Sequence, residues 1–314
     1  MAEVGFFEQL VQISNLRTYK QHVYTVIGAS LDESFDKGHY GVYAVGGLVG
    51  RGEPLFNLDR KWEALLQHPD IEIEYFKASE CESGKGQFAK FVKEEGKPTP
   101  KEREHLQEIS REFISLIVNE KITAQGIGVL NRDFYEVIAD PYARSVLGDD
   151  PFPVAYDLAM VQCAWMLKQV EKAHMEEAEF GARTQREYIS FVRDEHPRYQ
   201  SLAQERYLKL KESTPEAGKY FGSHTTADDK TTCVLQAADA TVFEIRRVLH
   251  IAHKQRREPI RGQFQIFRGR MAIIQSCIKQ NLLNTVKLHK PGDSFNLSDI
   301  METEFTEDVR INET

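Results

Sequence analysis

Short blocks of apolar and polar residues follow one another along the chain, and several of these blocks have the composition of β-strands. Residues 22–31 and 39–50 are rich in Val, Tyr and Gly and flank a short polar stretch, which predicts two neighbouring strands joined by a hairpin. In residues 71–79 apolar and acidic residues alternate, which predicts a half-buried strand. Two more strands are predicted at residues 122–130 and 187–195.

Between the predicted strands, apolar residues recur at helical spacing. This spacing predicts helices over residues 103–120, 154–180, 199–213 and 232–254. Gly181 is a suitable C-terminal cap for the second of these helices. Strands that alternate with helices are typical of an α/β fold, in which helices cover both faces of the sheet.

Composition narrows the class of protein. The chain has 314 residues, of which 41% are hydrophobic and 28% are charged, which is enough to bury a sizeable core. No apolar run approaches the length of a bilayer span, and the N-terminus lacks the pattern of a signal peptide. The four cysteines lie tens of residues apart, without metal-ligand spacing. We therefore expect a reduced, cytoplasmic protein with no membrane partner.

Charge is distributed unevenly, although the whole chain has a formal net charge of −8. Residues 246–270 contain eight basic residues and one acid, a net charge of +7, whereas residues 293–314 contain seven acids and one arginine, a net charge of −6. The basic segment could bind a nucleic-acid backbone, or it could pair with the acidic tail of the same or another copy. The expected partner is therefore a nucleic acid, a second copy or another protein.

The composition also predicts how the chain is organised. We expect one main domain over residues 1–254 and a basic C-terminal extension over residues 255–292. Residues 293–314 read as an acidic, disordered tail, because they combine high charge with few apolar residues.

Carboxylates stand where predicted strands end. Asp32, Glu80 and Asp194 each lie at such an end, and Asp239 lies in an apolar stretch of the last predicted helix. In an open α/β sheet, functional groups gather beyond the carboxyl ends of the strands. Clustered carboxylates repel one another unless a cation neutralises them, and Mg²⁺ or Mn²⁺ prefers such oxygen ligands. Two such ions can activate a water for phosphodiester hydrolysis.

Each of these acids also has a structural interpretation. An acid that follows a strand can be an ordinary solvated loop residue, and Asp239 can accept a hydrogen bond from the N-terminus of a neighbouring helix. Glu33 adjoins Asp32 and would point to the opposite face of a continuing strand, so at most one of the two should bind a metal. Lys77 and Lys230 could contact a phosphate or form ordinary ion pairs. Gln236 shares a helix face with Asp239.

Four stretches of the sequence resemble the family catalogued as domain of unknown function 3800. They are "LDES" followed by "VYAVGGLVG", "EYFKASE", "YISFVRDEHPRYQSLAQERYLKLKES" and "DDKTTCVLQAADATV". Together they span about residues 24–250, in the order that is characteristic of the family. The resemblance implies a ribonuclease H-like fold, with a mixed central sheet flanked by helices.

The resemblance also implies roles for individual residues. Asp32 and Glu33 match the acids of the opening strand, Asp194 matches the acid after the late strand, and Asp239 matches the acid of the closing helix. Asp228 and Lys230 match the Asp and Lys before that helix, and Glu80 is the candidate for the remaining acid. Two positions depart from the pattern, since Phe35 replaces a glycine and Asp229 replaces a serine.

These observations predict a metal-dependent nuclease or phosphodiesterase, in which Asp32, Glu80, Asp194 and Asp239 hold Mg²⁺ or Mn²⁺. An alternative of a different class is a non-catalytic adaptor on the same fold, in which the carboxylates diverge or form salt bridges. A third is a hydrolase that acts on a small phosphorylated molecule, which a narrow pocket would favour.

Overall fold

Six strands form one mixed β-sheet, with β1 and β2 as its central hairpin. The computed structural model describes residues 26–35, 41–93, 97–120, 122–177, 187–253 and 273–278. The strands are β1 (Val26–Phe35), β2 (Val42–Arg51), β3 (Ile122–Leu130), β4 (Tyr188–Asp194), β5 (Phe221–Ala227) and β6 (Ile273–Ile278). Their order is β5-β4-β1-β2-β3-β6, and only β2 runs antiparallel to its neighbours. The predicted hairpin and α/β class are confirmed.

Helices cover both faces of this sheet. They are α1 (Gly52–Leu66), α2 (Ala78–Ser83), α3 (Pro100–Val118), α4 (Asn131–Val137), α5 (Pro141–Leu147), α6 (Phe152–Glu177), α7 (Gln200–Ser213), α8 (Pro215–Gly218) and α9 (Cys233–His253), with a 3-10 helix at Gly86–Phe91. One buried cluster joins β1 to α6 and α7, and a second joins β2 to α1, α3 and α9. The sheet therefore lies between two helical layers. No helix in the described ranges is long and apolar enough to span a membrane.

The strand predicted at residues 71–79 is wrong. Residues 71–77 are irregular and α2 begins at Ala78. Ile71, Ile73 and Phe76 are buried, so the alternation reports burial correctly. None of the six described strands pairs with this segment. Instead, side-chain oxygens accept hydrogen bonds from its backbone, such as that from the Phe76 amide to Gln236 Oε1 at 2.9 Å. The alternating pattern of this segment therefore reflects burial of one of its faces and not a β-strand.

Two elements of the fold, α1 and β5, were not predicted from the sequence. Helix α1 buries Leu55, Leu58, Trp62 and Leu66 at helical spacing. Strand β5 lies at the edge of the sheet, and its middle residues are polar and partly exposed, so it lacks the apolar run of a central strand.

The predicted C-terminal segments lie largely outside the described residues. Within the predicted extension, residues 273–278 form β6 and pair with β3 in the same sheet. The acidic tail at residues 293–314, the remainder of the extension and Gly181 are outside the described ranges.

Asp59 links α1 to the beginning of α9. Its carboxylate accepts a hydrogen bond from the backbone amide of Val234, in the first turn of α9. Burial raises the pKa of Asp59 from 3.8 to about 6. The folded chain therefore holds this proton more tightly than the unfolded chain, so the ionised carboxylate opposes folding. This contribution lowers the free energy of unfolding as the pH rises from about 4 to about 6.

We predict that Asp59→Asn raises the free energy of unfolding by about 1–2 kcal/mol at pH 7 and leaves it nearly unchanged at pH 4. This gain is smaller than the free energy that corresponds to the full pKa shift, because an uncharged side chain is less favourable than a carboxylate beside a helix N-terminus. Urea unfolding at both pH values measures it. Glu53→Gln, on an exposed residue of the same helix, should show no such difference. An equal loss at both pH values would show that the capping charge dominates.

Candidate carboxylate site

Asp32 and Asp239 meet between the sheet and α9. Asp32 lies near the end of β1, Asp239 lies in the second turn of α9, and each residue is only 7% exposed. Their carboxyl groups are in hydrogen-bond contact. Burial, followed by the charge of Asp239, raises the pKa of Asp32 well above its ordinary value, and burial also raises the pKa of Asp239. The sequence prediction that these two acids converge is consistent with this geometry.

Glycines in β2 allow this close approach. Gly46 pairs with Asp32 across the hairpin, and Gly47 follows it with a φ of 149°. A Cβ atom at Gly47 would clash with the carbonyl oxygen of Ser30 and would press on Ala238, the residue before Asp239. The missing side chain therefore leaves room for α9 to lie directly against the hairpin.

Lys77 brings a positive charge to the two acids. Its ammonium Nζ lies 2.8 Å from Oδ2 of Asp229. Burial would lower the pKa of Lys77, but the charges of Asp239, Asp229 and Asp32 raise it above its ordinary value. In turn, Lys77 lowers the pKa of Asp32 and of Asp239, against the larger effect of burial. The lysine is therefore the counter-ion of this cluster in the structure.

Asp194 borders the same cluster from the end of β4. Its Oδ1 accepts a hydrogen bond from the backbone amide of Asp229 at 3.2 Å. Burial, followed by the charge of Asp229, raises the pKa of Asp194. Asp229 thus connects Asp194 to Lys77, so three acids proposed from the sequence lie around one lysine.

Asp239 also holds the beginning of α2. Its Oδ2 accepts a hydrogen bond from the backbone amide of Ala78, the first residue of that helix, at 2.9 Å. This is the structural interpretation of Asp239 that the sequence left open, and the structure confirms it. The same carboxylate therefore contacts both a helix N-terminus and Asp32.

Gln236 organises the irregular segment that leads to Lys77. Its Oε1 accepts hydrogen bonds from the backbone amide of Phe76 at 2.9 Å and from Nε1 of Trp62 at 3.0 Å. Its Nε2 donates to the carbonyl oxygen of Lys230 at 3.2 Å. All three contacts are to the protein itself, so Gln236 positions the segment and the neighbouring turn.

The Glu80 carboxylate is directed into a different set of contacts. It accepts hydrogen bonds from the Tyr75 hydroxyl and from the backbone amide of Gln87, each at 3.3 Å. It also lies so close to Gly86 that a Cβ atom at that position would overlap it. Glu80 lies in α2 rather than after a strand, which removes the reason for grouping it with Asp32.

Asp228 and Lys230 form the turn before α9. Oδ1 of Asp228 accepts a hydrogen bond from the backbone amide of Lys230 at 2.9 Å. The Lys230 ammonium lies over the Tyr75 ring, 5.5 Å from its centroid. Both side chains belong to exposed residues, so this turn lies at the open side of the cluster.

Glu33 lies on the opposite face of β1 from Asp32, as predicted. There its carboxylate forms an ion pair with Arg193, with 3.4 Å between Oε2 and Nη2, and both side chains are buried. The Arg193 guanidinium also lies over the Phe152 ring, 5.7 Å from its centroid. This ion pair is separated from the carboxylate cluster by the sheet itself.

The basic segment begins inside the fold. Nε of Arg246 donates a hydrogen bond to the Ser34 hydroxyl at 2.9 Å, and burial lowers the pKa of Arg246 to about 10. Arg247 forms an ion pair with Glu82. The first two arginines of residues 246–270 therefore pack against protein groups, and residues 254–270 lie outside the described ranges.

The chemistry of the donor set suits a hard divalent cation, since Asp32, Asp239, Asp194 and Asp229 supply only carboxylate oxygens. Their arrangement is less favourable. Within the part of the chain that the structure describes, no three His, Cys, Asp or Glu residues are placed so that they could hold a metal. Lys77 supplies the positive charge in this arrangement, through its ion pair with Asp229.

Comparison with known proteins adds no assignment. No protein-family profile, curated protein or solved structure matches the chain. The geometry of the cluster is therefore the basis for its interpretation.

Two charged residues with partly or fully buried contacts, Asp229 and Arg193, were not among the predicted site residues. Asp229 was noted only as a departure from the family pattern, yet it holds Lys77 and Asp194. Arg193 is fully buried beside Glu33. Its signal was present in the sequence, because a charged residue between Val192 and Asp194 interrupts a strand whose partner strand carries an acid.

Proposed function

We propose that the chain is a ribonuclease H-like, Mg²⁺- or Mn²⁺-dependent nuclease or phosphodiesterase, as its resemblance to the domain of unknown function 3800 family implies. The order of the sheet supports the fold assignment. A three-strand antiparallel meander, β1 to β3, is extended beside β1 by the parallel strands β4 and β5. The resemblance implies such a mixed central sheet, flanked by helices. β6 is an addition beside β3.

The buried contact between Asp32 and Asp239 is the observation that carries the proposal. Two carboxyl groups in contact, with pKa values raised by burial, are an unfavourable arrangement that a cation would relieve. The fold maintains this arrangement with a left-handed-region glycine and close packing of α9.

Asp32 and Asp239 would hold the metal, and Asp194 and Asp229 would border it. When bound, the ion would supply a nucleophilic water and stabilise charge that develops on the phosphate. The protein residues fix the donor oxygens. β1 holds Asp32, and the Ala78 amide fixes one oxygen of Asp239. Glu80 contributes to the local structure of α2 instead, through Tyr75 and Gln87.

We predict that Mn²⁺ binds the intact protein in a calorimetric titration and that Asp32→Asn and Asp239→Asn each abolish the heat of binding. Both substitutions remove a negative donor oxygen while keeping the side-chain size. Glu80→Gln is the matched control, because its carboxylate lies in a separate network, and it should bind Mn²⁺ like the unaltered protein. Metal-dependent cleavage of single- and double-stranded RNA and DNA should be lost in the same two variants.

Other results would contradict this proposal in different ways. Absence of Mn²⁺ binding, with and without an oligonucleotide present, would exclude the metal-dependent nuclease. Loss of binding in Glu80→Gln with retention in Asp32→Asn would move the site to α2.

A second candidate is a non-catalytic adaptor on the same fold. The contacts of Asp239 with Ala78 and of Lys77 with Asp229 favour it, because they use the carboxylates to fix α2 and the turn before α9. On this alternative, Asp239→Asn would lower the free energy of unfolding without any effect of Mn²⁺ on the thermal midpoint of either protein.

The cytoplasmic location remains part of the proposal. Cys81, Cys163 and Cys233 are buried thiols, which suits a reducing compartment.

A further inference from the structure

A cavity lies between α2, α3 and α9, beside the carboxylate cluster. Its volume is about 410 Å³, which is within the range of small-molecule sites in proteins. Ala78, whose amide donates to Asp239, and Ala240, the residue after Asp239, both line the cavity. The acids of the cluster do not line it, so the cavity is a neighbouring site with its own set of residues.

Apolar side chains form much of the wall of this cavity. Leu106 and Ile114 line it from α3, and Phe243 lines it from α9. Each of these three residues is buried. An apolar group that enters the cavity would pack against them and would leave water as it does so, which favours binding. The cavity therefore suits a ligand with an aromatic or other apolar body.

Two arginines line the same cavity from different helices. Arg103, on α3, is exposed, and its side chain has no hydrogen-bond or ion-pair partner among the described residues. Arg247, on α9, forms an ion pair with Glu82 through Nη1. Nε of Arg247 is buried and has no hydrogen-bond partner in the described part of the chain. Both guanidinium groups therefore have donors left for an acceptor, and arginine suits oxyanions in particular.

Two acids, Glu82 and Glu244, also line the cavity, so its four charged side chains together carry no net charge. Glu82 is neutralised by its ion pair with Arg247, and Glu244 is 3% exposed. The two acids would repel a ligand with several negative charges. The arrangement therefore favours a single negative charge on the exposed side of the cavity, near Arg103.

We propose that this cavity binds a small organic molecule with an aromatic or other apolar body and one singly charged oxyanion group, a carboxylate or a sulfonate. The apolar body packs against Leu106, Ile114 and Phe243. The oxyanion accepts hydrogen bonds from Arg103 and Arg247. This inference is independent of the proposed metal-dependent function, because none of the acids proposed to hold or border the metal takes part.

The dye 8-anilinonaphthalene-1-sulfonate has this chemistry, and its fluorescence rises when it leaves water. A titration of the folded protein with this dye, in buffer with EDTA, should show one site per chain. Arg103→Met should weaken binding about tenfold, because it removes charge-assisted hydrogen bonds. Lys101→Met is the matched control, since it removes the same charge from an exposed residue of α3 that does not line the cavity. Its affinity should stay within about twofold.

A second dye tests the need for the anionic group. N-phenyl-1-naphthylamine is the same molecule without the sulfonate, so it should bind more weakly than the sulfonate and equally well to Arg103→Met and to the unaltered protein. A larger side chain tests the position of the site. Ser110→Trp places a ring at the wall of the cavity and should abolish binding of both dyes, whereas Ser115→Trp, on the same helix but outside the cavity, should preserve it. Circular dichroism checks that both tryptophan variants are folded.

Each contrary outcome overturns a stated part of the inference. Equal losses in Arg103→Met and Lys101→Met would show only a general charge effect and would overturn the role of Arg103. Equal affinity for the two dyes would overturn the preference for an anion. Equal binding by Ser110→Trp and Ser115→Trp would place the dye outside the cavity and overturn the site, as would the absence of binding by the unaltered protein.

Discussion

Arg193→Met is expected to lower the free energy of unfolding by about 3–5 kcal/mol, since it leaves the buried Glu33 carboxylate without its cation. The Arg193 side chain is 1% exposed and that of Glu33 is 7% exposed. Burial raises the pKa of Glu33 even with Arg193 present, which shows how strongly the site opposes an isolated charge. Urea unfolding at pH 7, followed by circular dichroism, measures the loss.

A double substitution tests the cause of this loss. Arg193→Met combined with Glu33→Gln removes both charges and should recover a large part of the stability, because a neutral amide is less costly to bury. Lys219→Met, which breaks an exposed ion pair with Glu216, should cost at most about 1 kcal/mol. A loss in Arg193→Met as small as that in Lys219→Met would contradict the argument.

Gln236→Leu is expected to lower the free energy of unfolding by about 3 kcal/mol or more. It removes the acceptor for the Phe76 amide and the Trp62 indole, and the donor to the Lys230 carbonyl. Each buried group left without a partner costs about 1–3 kcal/mol. Because Trp62 is one of the groups affected, tryptophan fluorescence during urea unfolding reports the change together with circular dichroism.

Gln162→Leu is a sharp control for that experiment. Gln162 is fully buried in α6, and neither Nε2 nor Oε1 of its side chain has a hydrogen-bond partner among the described residues. Replacement by leucine should therefore be neutral or stabilising. A similar loss in the two variants would mean that volume, rather than hydrogen bonding, decides the effect at Gln236.

The sequence predicted secondary structure best in segments whose buried residues also pair with a neighbouring strand. β1 to β4 carry apolar residues and pair with neighbouring strands, so their patterns predicted both properties. Residues 71–77 show the same alternation, but the Phe76 and Glu74 amides donate to the side chains of Gln236 and Gln87. The amides of residues 71–73 donate to backbone carbonyls at the end of α1 and in the turn after it. A residue pattern records which face is buried and contains no information on what accepts the backbone hydrogen bonds.

The candidate site was predictable to a similar degree. Strand ends and an acid in an apolar helix were sufficient to suggest Asp32, Asp194 and Asp239. Glu80 was grouped with them through a strand that does not form. The role of Lys77 depends on Asp229, which lies 152 residues away along the chain, and no local pattern relates residues at that separation.

The pairing of β6 with β3 has a consequence for how the protein is made. β3 is nine residues long and almost wholly buried, and β6 covers the edge that β2 leaves free. During synthesis on the ribosome, that edge stays uncovered until residues 273–278 have been made. These residues emerge after every other strand of the sheet. A nascent or prematurely terminated chain would present an apolar strand edge that can recruit strands from other chains. Protection from aggregation is therefore conferred late, by a short segment far from the carboxylates.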